Sequence, residues 1–104
     1  MDDLGRKEEA IESYDQAIKF DPNYADAYYN KGIVLNYLGR KEKAIECFNQ
    51  AIKIDPNYFD AYFNKGNILN NLGRKEEAIE CYNQAFKLDL NYFNAYHKKG
   101  DALR

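Results

Sequence analysis

The chain of 104 residues is poor in the residues that build metal and redox sites. It has no tryptophan, one methionine, one histidine and two cysteines. A single histidine beside two cysteines gives no ligand set for a structural zinc ion. The sequence also contains no phosphate-binding loop and no acid–base pair outside repeated surface positions. It therefore predicts no cofactor, no metal and no enzyme activity.

Charge and hydropathy exclude two further classes of protein. The formal net charge is −2, so the chain lacks the basic surplus that attracts nucleic acid or anionic lipid. Apolar runs are only a few residues long, which is too short to cross a bilayer. Met1 leads into Asp2 and Asp3 without a basic start or an apolar stretch, which predicts no secretory signal and a cytoplasmic location.

What the sequence does have is an internal repeat. The block Leu-Gly-Arg-Lys occupies positions 4–7, 38–41 and 72–75, with a constant step of 34 residues. Asp-Pro-Asn-Tyr begins at Asp21 and Asp55, and returns at Asp89 with leucine in place of proline. A fixed period of this length indicates one supersecondary unit stacked on copies of itself.

Each unit contains two predicted helices. After each Leu-Gly-Arg-Lys block, apolar residues such as Ala44, Ile45 and Phe48 recur at helical spacing, and charges fill the other face. We call this the B helix. Pro56 predicts its end, because proline cannot donate the next helical hydrogen bond. Asn57 then suits the N-cap of a second helix, the A helix, which ends at the Gly-Arg-Lys turn in left-handed geometry.

Two columns of equivalent residues predict how the helices pack. Gly32, Gly66 and Gly100 lie in the middle of the A helices, which predicts that the backbone of a partner helix approaches closely. Cys47 and Cys81 share a column of the B helices. Equivalent positions of stacked helices are about 8–10 Å apart, beyond the reach of a disulfide, so we expect two reduced and partly buried thiols.

The sequence resembles the tetratricopeptide repeat (TPR) family over its whole length. The matching columns are Tyr28/Tyr62/Tyr96, Gly32/Gly66/Gly100, Ala44/Ala78, Phe48/Tyr82, Ala51/Ala85 and Pro56. The resemblance implies an all-α fold, a right-handed superhelical solenoid of antiparallel helix pairs. It also implies a non-enzymatic scaffold that binds a peptide or partner segment in a concave groove.

The phase of the repeat predicts six helices in the order B-A-B-A-B-A. The expected units are a half repeat at 1–24 that holds a B helix, full repeats at 25–58 and 59–92, and a half repeat at 93–104 that holds an A helix. Leu90 takes the place of the proline in the last turn. The sequence of that turn therefore stops the preceding helix less strongly, and the helix is free to continue through it.

By resemblance, the A helices line the binding groove. The predicted groove residues are Asp26, Tyr29, Asn30, Ile33, Asn36, Asp60, Phe63, Asn64, Asn67, Asn70, His97 and Lys98. Asn30 and Asn64 resemble an asparagine ladder that holds a peptide backbone, since an amide both donates and accepts. The alternative is that these amides bond only to neighbouring units or to solvent. The family's clamp for chaperone C-terminal carboxylates needs lysine in the column of Tyr29, Phe63 and His97, which argues against that mode.

The half repeats also suggest self-association. Each leaves open a face that a complete unit would cover, formed by Ala10, Ile11, Tyr14, Ile18, Tyr96, Gly100 and Leu103. We expect that the last helix of one molecule could complete a unit with the first helix of the next, giving a head-to-tail filament or ring. The alternative is that the chain is a fragment of a longer array.

Overall fold

A computed structural model of the chain describes the backbone of residues 3–102 and the side chains of residues 4–88. The elements are α1 (Asp3–Phe20), α2 (Ala25–Tyr37), α3 (Lys41–Ile54), α4 (Phe59–Asn71) and α5 (Lys75–Ala102). Within the described residues the fold is all-helical, as predicted. None of these helices is both long enough and apolar enough to span a bilayer.

The two Leu-Gly-Arg-Lys turns that follow A helices have the predicted geometry. Gly39 and Gly73 adopt φ values of 78° and 79°, a region that glycine enters without steric cost. The N–H of Gly39 donates to the carbonyl of Asn36, and the N–H of Arg40 donates to that of Leu35, both at 2.9 Å. This pair of bonds is a Schellman motif, which caps the end of the helix.

The two Asp-Pro-Asn turns are closed by their aspartates. The backbone N–H of Asn57 donates to Oδ1 of Asp55 at 3.1 Å, and Asn23 makes the same bond to Asp21. The prediction that Asn57 is an N-cap is therefore wrong. α4 begins at Phe59, its N-cap position is Tyr58, and no side chain caps it. Asn57 belongs instead to the turn that its neighbour Asp55 holds.

The prediction of six helices is also wrong, because the chain forms one helix where two were expected. α5 runs without interruption through 28 residues, from the predicted last B helix into the predicted last A helix. The physical reason is Leu90, which keeps the N–H that Pro22 and Pro56 lack in the equivalent turns. Asp89 and Asn91 alone do not stop the helix. The repeat boundaries remain predictions.

The core lies between the helices of successive pairs. α2 packs along α3, α4 packs along α5, and smaller contacts join α1 to α2 and α3 to α4. α3 lies at the centre of this stack, where Phe48 and Ala51 are completely buried. Ile68 and Leu69 of α4 join the same cluster. The result is a helical repeat solenoid whose middle elements are covered on both sides.

The mid-helix glycines face an aromatic ring rather than a backbone. A Cβ atom on Gly32 would lie 2.8 Å from Cε1 of Phe48, and one on Gly66 would lie 2.7 Å from Cε1 of Tyr82. The predicted close approach is therefore correct, but its expected partner was wrong. The reason is that Phe48 and Tyr82 fill the space between paired helices and leave no room for a side chain. Gly100 lies outside the described side chains.

Both cysteines are buried and free, as predicted. Burial is the main cause that raises the pKa of the Cys47 thiol and of the Cys81 thiol. They are therefore protonated at neutral pH and act as small apolar residues of the core.

Candidate functional site

Ten of the twelve predicted groove residues lie on α2 and α4, whose side chains the structure describes. We call this surface the α2/α4 face, and it comprises Asp26, Tyr29, Asn30, Ile33 and Asn36 of α2 with Asp60, Phe63, Asn64, Asn67 and Asn70 of α4. A hydrogen bond from the Asn64 amide to the Tyr29 hydroxyl, 2.9 Å long, joins the two helices. His97 and Lys98 belong to α5 at positions outside the described side chains.

A tyrosine that sequence reasoning assigned to no site organises the first half of this face. The Tyr58 hydroxyl donates to the carboxylate of Asp26 at 2.6 Å. Its ring stacks on Tyr29, with centroids 5.0 Å apart. Burial is the first cause that raises the pKa of Tyr58, followed by the hydrogen bond to Asp26. Tyr58 therefore fixes the positions of two predicted groove residues.

The two asparagines of the predicted ladder differ in what they leave free. The Asn64 amide donates to Tyr29 and also to the backbone carbonyl of Asp60, each at 2.9 Å. Its two N–H groups are thus both used, and its carbonyl is the group left for a ligand. Asn30 is exposed, and within the described part of the chain its side chain makes no hydrogen bond. Asn30 can therefore both donate and accept.

A row of aromatic rings borders the α4 side of this face and continues onto α5. Phe59 stacks on Phe63 at 5.9 Å, Phe63 contacts Tyr82 at 5.8 Å, and Tyr82 stacks on Phe86 at 6.5 Å between centroids. The Tyr82 hydroxyl donates to Asn67 at 2.6 Å, so Asn67 supports the row. Sequence reasoning missed Phe59 and Phe86. A signal was present, because Phe86 replaces isoleucine of the two earlier copies.

The remaining residues of the α2/α4 face have different surroundings. Ile33 is partly buried against the core, so it supports the face from below. Asn36 accepts a hydrogen bond from Nζ of Lys41 at 3.4 Å. Asn70 is exposed. Among the described residues, the side-chain amides of Asn30 and Asn70 are thus exposed and form no hydrogen bond.

The predicted self-association residues of α1 are only half-buried. Ala10, Ile11, Tyr14 and Ile18 all keep part of their surface open. In α3 the first three equivalents, Ala44, Ile45 and Phe48, are buried, whereas Ile52, the equivalent of Ile18, is itself half-buried. The other three predicted positions, Tyr96, Gly100 and Leu103, lie outside the described side chains. Among the described residues, no three histidine, cysteine, aspartate or glutamate side chains converge as metal ligands would.

The repeat unit, its turns and its aromatic–glycine contacts define a TPR array, and comparison with known families agrees. The family described as TPR repeat matches residues 3–39 and 66–103. Two further families described as tetratricopeptide repeat match residues 25–58 and 47–80. The chain therefore belongs to the tetratricopeptide repeat family. No curated protein matches its sequence.

Solved structures with the same fold include two kinds of TPR protein. A crystal structure of MamA is 31% identical with a TM-score of 0.84, and the match covers 88% of this chain and 53% of that one. A second MamA structure is 31% identical with a TM-score of 0.79, and the match covers 88% and 50%. This chain thus spans about half the length of those MamA chains.

A third similar structure contains a ligand. The second TPR of Spaghetti (RPAP3), bound to an HSP90 peptide, is 28% identical with a TM-score of 0.76. The match covers 82% of this chain and 79% of that one. The fold of this chain is therefore similar to one that, in that protein, holds a short peptide.

Proposed function

We propose that the chain is a non-enzymatic scaffold that binds an extended peptide segment across the α2/α4 face. In this proposal the A helices line the concave side of a right-handed superhelix. The observation that carries it is the exposed Asn30 amide, which has no hydrogen-bond partner among the described residues and lies on the same face as Tyr29 and Asn64, which are joined by a hydrogen bond. A cytoplasmic location remains a prediction from the sequence.

The bond pattern of the α2/α4 face suits a peptide backbone. A peptide group offers one N–H and one carbonyl, and Asn30 can serve both. Asn64 is held by Tyr29 and Asp60, so its free carbonyl is already oriented to accept from a peptide N–H. Such pre-organisation lowers the entropy that binding must overcome.

The rings of the face favour an apolar side chain in the ligand. Phe63 is 38% exposed and lies between Phe59 and Tyr82. The column that carries lysine in a carboxylate clamp carries Tyr29 and Phe63 here. The structure of the Spaghetti TPR with its HSP90 peptide supports peptide binding by this fold. We propose that this chain prefers an internal segment with apolar residues to a free acidic C-terminus.

The test is Asn30→Ala, measured against peptides selected from a random display library on the unmodified protein. Loss of one or two hydrogen bonds should weaken binding of the selected peptides about fivefold to tenfold. Because Asn30 has no internal bond among the described residues, the unfolding midpoint should not change. Asn49→Ala is the matched control, since Asn49 is exposed on α3 and away from this face. Equal effects of the two variants would contradict the proposal.

A second candidate is head-to-tail assembly through the end helices. The observation in its favour is the half-open apolar stripe of α1, where Ile11 and Tyr14 pack less completely than Ile45 and Phe48 of α3. In light scattering, the mass of the unmodified chain should then rise continuously with concentration. Ile11→Glu should reduce this rise. A mass that does not rise with concentration would exclude this assembly.

A further inference from the structure

The first half of α5 carries an apolar stripe that the described residues leave largely exposed, although α4 covers part of Tyr82. Ile79 is 57% exposed and Phe86 is 56% exposed, with the half-buried Tyr82 between them on one helical face. We call these three residues the open α5 stripe. In α3 the residue equivalent to Ile79 is Ile45, which is 6% exposed. The difference follows from what packs beside each helix.

In the middle of the molecule, the following A helix provides this cover. The chain turns at Asp55-Pro56 after α3, and α4 then packs back against α3. After residue 88 the chain does not turn, because α5 continues as a single helix to Ala102. A straight helix cannot fold back on itself. The segment that would cover the open α5 stripe is therefore directed away from it in the same molecule.

That segment nevertheless has the sequence of a covering A helix. Ala95, Tyr96 and Gly100 repeat the columns of Ala61, Tyr62 and Gly66 in α4. Its charges also complement the half that it would cover. Residues 75–88 carry three glutamates and two lysines, whereas residues 93–104 carry Lys98, Lys99 and Arg104 against one aspartate. Opposite net charges favour contact between the two halves and disfavour contact of like halves.

We propose that two copies of the chain exchange the second halves of α5. Residues 93–102 of each copy then lie on the open α5 stripe of the other, and the two α5 helices run antiparallel. Residues 93–102 are ten residues of helix, about 15 Å long, so each exchanged segment provides about 15 Å of contact. Each copy both gives and receives one segment, so the contact is two-fold and closes at a dimer.

This exchange leaves the α2 residues of the α2/α4 face uncovered, although it covers Tyr82 and Phe86 of the aromatic row beside Phe63. Tyr29, Asn30 and Asp26 stay on the α2/α4 face of each copy. The proposal therefore does not depend on the proposed function. It also differs from head-to-tail assembly, which would use the stripe of α1 and would not close at two copies.

The test is the mass of the whole chain in light scattering, compared among three variants. The unmodified chain should have twice the monomer mass of 12.2 kDa. Leu90→Pro restores the complete Asp-Pro-Asn-Tyr turn of the two earlier copies, so residues 93–102 should fold back and halve the mass. Leu90→Ala is the matched control, because alanine keeps the helix and should keep the dimer.

Two further measurements make the outcome independent of how well Leu90→Pro folds. Ile79→Glu places a charge in the open α5 stripe and should also give the monomer mass. The melting temperature of the unmodified chain should rise with protein concentration, and that of Leu90→Pro should not. A monomer mass for the unmodified chain at all concentrations would overturn the proposal, as would a dimer that survives both Leu90→Pro and Ile79→Glu. Ile11→Glu should leave the dimer mass unchanged.

Discussion

α3 and the first half of α5 have nearly the same sequence but different surroundings. They differ at four of fourteen positions, yet Ile45 is 6% exposed and its equivalent Ile79 is 57% exposed. Ala44 and Ala78, which face the preceding A helix of the same unit, are both fully buried. The larger part of the packing of a B helix is thus supplied within its own unit, and a smaller part is supplied by the next one. Stability in such an array is correspondingly a sum of unit and neighbour terms.

The largest difference between α3 and the first half of α5 should appear in the free energy of unfolding when the same side chain is shortened in each helix. Ile45→Ala should lower the free energy of unfolding by about 2–4 kcal/mol, because it leaves a cavity in the core. Ile79→Ala should change it by no more than about 0.5 kcal/mol, since most of that side chain is already in water. Denaturant unfolding would measure both, at a protein concentration where light scattering reports monomers.

An equal loss in the two variants would contradict this account. It would mean that Ile79 is covered in the monomer, and therefore that the chain turns back after residue 88. Repeating the measurement at high concentration sharpens the comparison, because dimer formation should raise the cost of Ile79→Ala and leave that of Ile45→Ala unchanged.

How well the sequence predicts each part of the fold depends on whether a local signal decides it. The turns at Gly39 and Gly73 could be predicted, because a glycine that ends a helix is a local signal. The joining of two helices in α5 could not be decided, since Leu90 permits either a turn or a helix. Asn57 was misplaced for a related reason, because both a cap and an aspartate-held turn suit the same four residues.

The sequence could predict which columns of equivalent residues form the candidate site. It could not predict which of their polar groups remain free to bind a ligand. Resemblance to a family assigns Asn30 and Asn64 to the same column, and the sequence gives no reason to separate them. The structure separates them through Tyr29, which is 35 positions before Asn64 and takes one of its donors. The bond from Tyr58 to Asp26 spans 32 positions in the same way. Contacts between successive units decide which polar groups remain for a ligand.

The mid-helix glycines should show a smaller difference between the two pairs of helices. Gly32→Ala forces a Cβ atom to 2.8 Å from the ring of Phe48, which is completely buried and cannot move aside. Overpacking of about 1–3 kcal/mol then exceeds the gain of about 1 kcal/mol in helix propensity. Gly66→Ala meets Tyr82, which is half-buried and has more room to shift. Denaturant unfolding should therefore rank Gly32→Ala as the less stable variant, and the reverse order would contradict the packing described.

The smallest effect should come from the tyrosine column after each B helix. Tyr58→Phe keeps the stack on Tyr29 but loses the bond to Asp26, so stability at neutral pH should fall by about 0.5–1 kcal/mol. The matched variant Tyr24→Phe should change little, because Tyr24 is 46% exposed and its hydroxyl makes no hydrogen bond within the described part of the chain. Chemical denaturation of the two variants and the unmodified chain gives this difference directly.

The dependence of this difference on pH gives it a physical signature. Burial, and after it the bond to Asp26, raises the pKa of Tyr58 in the folded chain above the ordinary value of 10.0. The protonated phenol is thus favoured by folding. Its contribution is complete below pH 10.0 and is lost as the pH rises from there toward the raised pKa of the folded state. The difference in stability between the unmodified chain and Tyr58→Phe should therefore stay constant up to pH 10.0 and decrease as the pH rises further. A gap that widens in alkali would show that the Tyr58 hydroxyl does not donate to the Asp26 carboxylate.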